Sequence, residues 1–305
     1  MTLAPVALFT YNRLWHTQQI VEALQYNELA IDSELFVFSD GPKTEADREK
    51  VAAVREYLAT ITGFGKVSVI HRNRNFGLAQ SIITGVTEIV NRHGRIIVLE
   101  DDMVTSPGFL RFMNEALELY EVEERVISIH GYLYPVRTEL PETFFLKGAD
   151  CWGWATWKRG WEMFEPDGQK LLGELRARDL THPFDFDGSY PYTKLLANQV
   201  RSKTDSWAIR WYASAFLRDK LTLYPGKSLV QNIGNDSSGT HCETRDEYDV
   251  ELGEVAVPLS RIAIEADPAA RRAVGVFLRS ARPGLSKEIG RKLKKLAERM
   301  NIRAR

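Results

Sequence analysis

The stretch RIIVLEDD, residues 95–102, decides the fold. Ile96, Ile97, Val98 and Leu99 are consecutive apolar residues, with no polar alternation, as in a strand buried on both faces. Three carboxylates end it. Outward toward the N-terminus, residues 78–92 space their apolar residues as a helix does, and 66–71 (KVSVIH) read as a strand. Residues 44–60 form an amphipathic helical pattern, and 34–39 (ELFVFS) a strand stopped by Asp40-Gly41-Pro42. Residues 14–24 are again helical and 5–10 (PVALFT) a strand. Strands alternating with helices predict an α/β, Rossmann-like domain: a mostly parallel central sheet with helices on both faces.

Beyond residue 102 the pattern loosens. A helix is predicted over 107–124, a strand over 126–130, a helix over 206–219 and a strand over 221–225. Residues 144–164 are aromatic-rich, and 231–242 read as a Gly/Asn/Ser loop. With no repeat, low-complexity stretch or Pro/Ser-rich linker, residues 1–265 read as one domain and 266–305 as a basic helical tail.

The chain has 305 residues, 44% hydrophobic and 27% charged, with a formal net charge of -1. That composition is ordinary for a globular protein, and no window reaches the ~18 uncharged apolar residues of a spanning helix. Residues 1–13 read as a strand rather than a secretory leader. Two cysteines build no disulfide framework, so the expected compartment is the reducing cytoplasm. The near-zero charge hides an asymmetry. Residues 279–305 hold ten Lys/Arg against two acids, while the rest holds thirty against thirty-nine.

In open parallel sheets, ligands bind outside the carboxyl ends of the strands. Here those ends carry Thr10-Tyr11-Asn12-Arg13, Asp40-Gly41-Pro42, Arg72-Asn73-Arg74-Asn75 and Glu100-Asp101-Asp102. Three adjacent carboxylates repel one another unless a cation neutralises them. Mg2+ and Mn2+ suit such a place, because they share one or two carboxylates with phosphate oxygens. A solvated acidic turn is the plainer alternative.

Residues 97–113 (IVLEDDMVTSPGFLRFM) resemble the metal-binding segment of GT-A nucleotide-sugar glycosyltransferases. Inverting N-acetylglucosaminyltransferase I and related bacterial family-two-like enzymes are the nearest likeness, over about Val6 to Cys242. Glu-Asp-Asp stands where other GT-A families carry Asp-X-Asp. The resemblance implies that Asp102 binds Mn2+ or Mg2+ directly, with Glu100 and Asp101 supporting it or contacting the sugar nucleotide. Residues 9–13 (FTYNR) resemble the family's opening strand and nucleobase loop, which assigns Thr10, Tyr11, Asn12 and Arg13 to the nucleoside.

Asp40 matches the acid that accepts the base N3–H in uridine-using relatives, which implies a UDP-linked donor; dTDP presents the same edge. A capped turn at Asp40-Gly41-Pro42 is the structural alternative. Residues 73–77 (NRNFG) resemble the loop near ribose and diphosphate and bring in Asn75 and Gly77. Arg72 and Arg74 are either phosphate partners or surface arginines.

Residues 148–165 (GADCWGWATWKRGWEMFE) resemble the relatives' sugar loop, in which Trp154 contacts the donor. Core packing accounts for such tryptophans equally well, while the interleaved glycines would let backbone approach a ligand. Residues 203–211 (KTDSWAIRW) resemble the Asp-X-Trp segment whose Asp is the general base, here Asp205; a helix N-cap is the alternative. Residues 232–242 (NIGNDSSGTHC) resemble the loop that closes over the diphosphate, with His241 as metal ligand or phosphate donor.

The implied activity is inverting, metal-dependent transfer of a hexosyl or N-acetylhexosaminyl group. It goes from a nucleotide sugar to a glycan or lipid-linked saccharide in bacterial polysaccharide synthesis. Two rivals stand beside it. A nucleotidyltransferase would need a glycine-rich phosphate loop where this chain has TYNRLWH, and a carbohydrate-binding protein would not turn a donor over. In the tail, Leu285, Ile289, Leu293, Leu296 and Met300 form an apolar stripe opposite a basic face. That pattern suits the anionic inner surface of a membrane, or packing on the acidic domain. Nucleic acid is not expected, since aromatic residues are not interleaved with the basic ones.

Overall fold

The computed structural model describes residues 2–236, 246–253 and 257–281. Strand and helix alternate first: β1 (Val6–Thr10), α1 (Leu14–Gln25), β2 (Glu34–Ser39), α2 (Arg48–Leu58), β3 (Lys66–His71), α3 (Leu78–His93) and β4 (Arg95–Glu100). Then come β5 (Met103–Thr105), α4 (Phe109–Leu119), β6 (Val126–His130), β7 (Thr143–Lys147) and β8 (Trp154–Trp157). Five helices follow: α5 (Lys158–Trp161), α6 (Gly168–Ala177), α7 (Thr181–Phe184), α8 (Tyr192–Val200) and α9 (Trp207–Leu217). The remaining elements are β9 (Leu221–Pro225), β10 (Val230–Asn232) and α10 (Pro268–Ser280).

Eight strands form one sheet in the order β3-β2-β1-β4-β8-β6-β9-β7. β3, β2, β1 and β4 are mutually parallel. β6 and β9 run with them, whereas β8 and β7 are reversed. The sheet is therefore mostly parallel, as the alternating pattern predicts. Burial on both faces follows from the continuous apolar runs. Val6 and Leu8 of β1 point into one core, with Leu24 of α1 and Phe112 of α4. Ala7 and Phe9 point into the other, with Ile82 and Val86 of α3 and Trp211 of α9.

The reversed strands were not expected. β8 spells WATW, four residues whose aromatic content masks their strand character, and only its pairing with both β4 and β6 defines it. β5 and β10 form a separate antiparallel pair, Val230 opposite Thr105 and Asn232 opposite Met103. That pair brings the chain after β10 back to the acidic end of β4.

Residues 266–281 pack on the β7 edge. Asp267 caps α10 by accepting from the Ala269 and Ala270 N–H groups, with Pro268 in the first turn. Val274, Phe277 and Leu278 are buried against Leu133, Phe144 and Leu146. The apolar stripe of 285–300 lies outside the described residues. Among the described residues, no helix is long and apolar enough to cross a membrane.

Candidate active site

β1 and β4 lie side by side with Phe9 opposite Glu100, so the β1 loop and the acidic triplet emerge together. Asp101 and Asp102 are buried, at 6% and 8% exposure. Arg13 reaches across from the β1 loop: its guanidinium donates to Asp102 Oδ2 at 2.8 Å, to Asp101 Oδ2 at 3.4 Å and to Asp101 Oδ1. One cation thus faces three carboxylates. Burial, then Asp102 and Asp101, push Glu100 up to about 8, against the pull of Arg13 and the Trp207 side chain. Burial and Asp101 also raise Asp102, opposed by Arg13 and by His16 of α1.

Asp102 Oδ1 is buried and has no hydrogen-bond partner among the described residues. Gly234, beyond β10, packs so closely that a Cβ there would stand 2.2 Å from Asp102 Oδ2. Only glycine lets backbone close over this carboxylate. The cluster fits a hard divalent cation, because an unpartnered oxygen on a negative, desolvated site is what Mg2+ or Mn2+ takes up. Among the described residues no three His, Cys, Asp or Glu side chains converge as a ready ligand set. Asp102, through its free oxygen, is the residue that could hold such an ion.

The other strand-end residues are brought together on the same edge, mostly holding one another. Asp40 accepts four hydrogen bonds from its own chain: Gly41 N–H and Phe76 N–H on Oδ1, Gly77 N–H and Asn75 Nδ2 on Oδ2. That occupies about all of a carboxylate's acceptor capacity, so Asp40 holds its own loop and leaves no lone pair for a base N3–H, contrary to its expected role. Gly77 is at φ +75°, a conformation that favours glycine, and it opens α3. Tyr11 accepts from Lys43 N–H at 3.0 Å, and Asn12 donates to Asp47 at 3.1 Å, clasping the β1 loop to the start of α2. Thr10 is buried with an unpartnered Oγ1. Arg72 lies 4.7 Å and Arg74 5.2 Å from the Phe76 ring centroid, so both stack on that loop.

Two further expectations are corrected. Trp154 is 1% exposed and packs among Trp161, Trp207 and Trp211, so it is core and offers no face to a sugar. The tryptophan left partly exposed here is Trp152. Nor do the interleaved glycines admit a ligand: a Cβ on Gly148 would meet the Tyr212 ring at 2.3 Å, and one on Gly153 would meet Val230 at 2.6 Å. Asp205 has a side chain 73% exposed and pairs with Arg210 at 3.1 Å. The N-cap of α9 is Ser206, whose hydroxyl accepts from Ile209 N–H. His241 lies outside the described residues.

Sequence reasoning missed His16, whose Nε2 stands 3.1 Å from Asp236 on the segment covering Asp102. It also missed Arg55, which ties the β2 and β3 ends through Ser39 Oγ and the Asp40 and Arg72 carbonyls. Neither carries a local signal, since each acts across the fold.

No family model matches this chain, and no curated protein does. Solved structures give partial likenesses. A mannosyltransferase from Pyrobaculum calidifontis, in complex with GDP-Man and Mn2+, is 14% identical with a TM-score of 0.30, over 41% of this chain and 34% of that one. S. aureus TarS is 12% identical with a TM-score of 0.32, over 49% of this chain and 25% of that one. A protein described as a nucleotide-diphospho-sugar transferase from Desulfovibrio desulfuricans G20 is 9% identical with a TM-score of 0.34, over 58% and 77%. The match thus spans about a third and a quarter of the first two. Overlaps this partial leave the activity to be argued from the site.

Proposed function

We propose that this protein is an inverting, metal-dependent glycosyltransferase acting on a nucleotide-diphosphate sugar, with UDP-sugars the first donors to test, and on a hydroxyl of a glycan or lipid-linked acceptor. The observation that carries the reading is the buried, unpartnered Oδ1 of Asp102 among three carboxylates at the carboxyl end of β4. Bound there, Mn2+ or Mg2+ would neutralise the cluster and stabilise charge on the departing diphosphate. The chain's own part is to position and to move a proton. Asp40 orders the Asn75–Gly77 turn beside the nucleotide, and Tyr11 and Asn12 hold the nucleoside loop against α2. Asp205, open to solvent, accepts the proton of the acceptor hydroxyl as it attacks the anomeric carbon opposite the leaving group.

The role in polysaccharide synthesis and the membrane contact through 285–300 belong to the same proposal. The test is release of nucleoside diphosphate from a panel of UDP-sugars with Mn2+. The reading predicts turnover that chelator abolishes; no consumption of any nucleotide sugar, or equal turnover with chelator, would overturn it.

Arg13 gives a second check, independent of turnover. It is the cation paired with Asp101 and Asp102. Breaking a buried pair from one side costs roughly 3–5 kcal/mol. Arg13→Gln should melt well below the parent in chelator, and Mn2+ should raise its melting temperature more than the parent's. A variant equally indifferent to Mn2+ would show that no cation enters the cluster.

A further inference from the structure

Between β7, α8, α9 and α10 lies a cavity of about 390 Å3 that the acidic edge does not include. Asp150 lines it with Tyr134, Tyr190, Tyr192, Tyr212 and Tyr224. Tyr134 donates to Asp150 Oδ2 at 2.7 Å and Tyr224 to the same oxygen at 3.4 Å. Oδ1 receives the Cys151 N–H at 2.9 Å. A carboxylate offers about four acceptor positions, so this one retains capacity. Among the described residues no lysine or arginine pairs with it. The imidazole of His130, 4.0 Å away, is fully buried, and burial lowers its pKa to about 4, which keeps it neutral. A hydrogen-bond donor is also on the wall: Asn235 lines the cavity, and its buried Nδ2 has no hydrogen-bond partner among the described residues.

The cavity's place matters as much as its chemistry. Ser206, the residue after Asp205, is on its wall. So are Cys151 and Asn235, and Asn235 follows the Gly234 that packs on Asp102. The cavity wall thus holds the chain neighbours of Asp205 and of the Gly234 that packs on Asp102. Its volume is that of a small-molecule site, aromatic in the main with a few placed polar groups. A pyranose ring matches both halves: its hydroxyls donate to a carboxylate and accept from an amide, while its C–H faces lie on aromatic rings. A quaternary ammonium ion would use the tyrosines and Asp150 but leave the Asn235 donor unanswered.

We propose that this cavity is a pyranose-binding site and, resting on the transfer reading above, that it seats the acceptor sugar with its hydroxyl toward Asp205. Direct binding separates the two claims. The full chain, without donor or metal, is titrated with methyl pyranosides of glucose, galactose, mannose, N-acetylglucosamine and rhamnose, and with tetramethylammonium, by saturation-transfer NMR. At least one pyranoside should saturate. Loss of one charge-assisted hydrogen bond in Asp150→Asn should weaken it about tenfold. Leu195→Trp, which fills the cavity from α8, should abolish it, with melting temperature and UDP binding retained. This second variant covers the case in which Asp150→Asn fails to fold. No pyranoside bound, equal binding by both variants, or binding of tetramethylammonium alone overturns the proposal. If Asp150→Asn weakens UDP-sugar binding but not that of the free pyranoside, the acceptor assignment falls. Pyranoside binding without consumption of any nucleotide sugar upholds the cavity as a saccharide site and sinks the transfer reading.

Discussion

In Asp102→Ala, release of nucleoside diphosphate from a UDP-sugar should fall about a thousandfold or more, since a metal supplies several kcal/mol of charge stabilisation and 1.36 kcal/mol is tenfold in rate. The same variant should melt no lower than the parent in chelator. Burial and Asp101 both oppose the charge on Asp102, so deleting it relieves repulsion and leaves Arg13 to Asp101. A residue kept for packing would show the reverse, with stability lost and turnover spared. The pairing of lost activity with unchanged or improved melting is read from paired turnover assays and thermal melts.

The second large effect belongs to Asp205. Because general-base catalysis contributes ~10²–10⁴-fold, Asp205→Asn should lose turnover by about that factor while KM for the donor stays near the parent value. Its stability should hardly change. The side chain is mostly exposed, α9 is capped by Ser206, and a surface pair such as Asp205–Arg210 is worth about 1 kcal/mol or less. Single-turnover measurements with saturating donor separate slowed chemistry from weakened binding. A fully active Asp205→Asn would remove the base from this account.

How much of this was legible in the sequence follows from where each determinant acts. β1 to β4 and their helices were readable, because continuous apolar runs and helical spacing are local signals. The acidic triplet was legible for the same reason, standing at the end of such a run. β7 and β8 were not, since their strand character comes from pairing across the sheet rather than from their own residues. Trp154 shows the limit for side chains: a tryptophan beside a glycine suits a sugar loop or a core, and three other tryptophans from the α5 and α9 segments decide it. Arg13 was expected to face the nucleoside, and its reach to Asp101 and Asp102 instead depends on β1 lying against β4. The Asp150 cavity draws on β7, α8, α9 and α10, and no window of sequence contains it.

The role proposed for Asp102 is to hold a divalent cation together with the nucleotide diphosphate. It is tested most directly by titrating Mn2+ into the protein, with and without UDP, following free Mn2+ by electron paramagnetic resonance. Binding free energies are reciprocal, so a shared site requires each ligand to tighten the other by the same factor. The account predicts that UDP strengthens Mn2+ binding, that Mn2+ strengthens UDP binding equally, and that Asp102→Ala abolishes the coupling. UDP binding that is indifferent to Mn2+, or coupling that survives in Asp102→Ala, would contradict it.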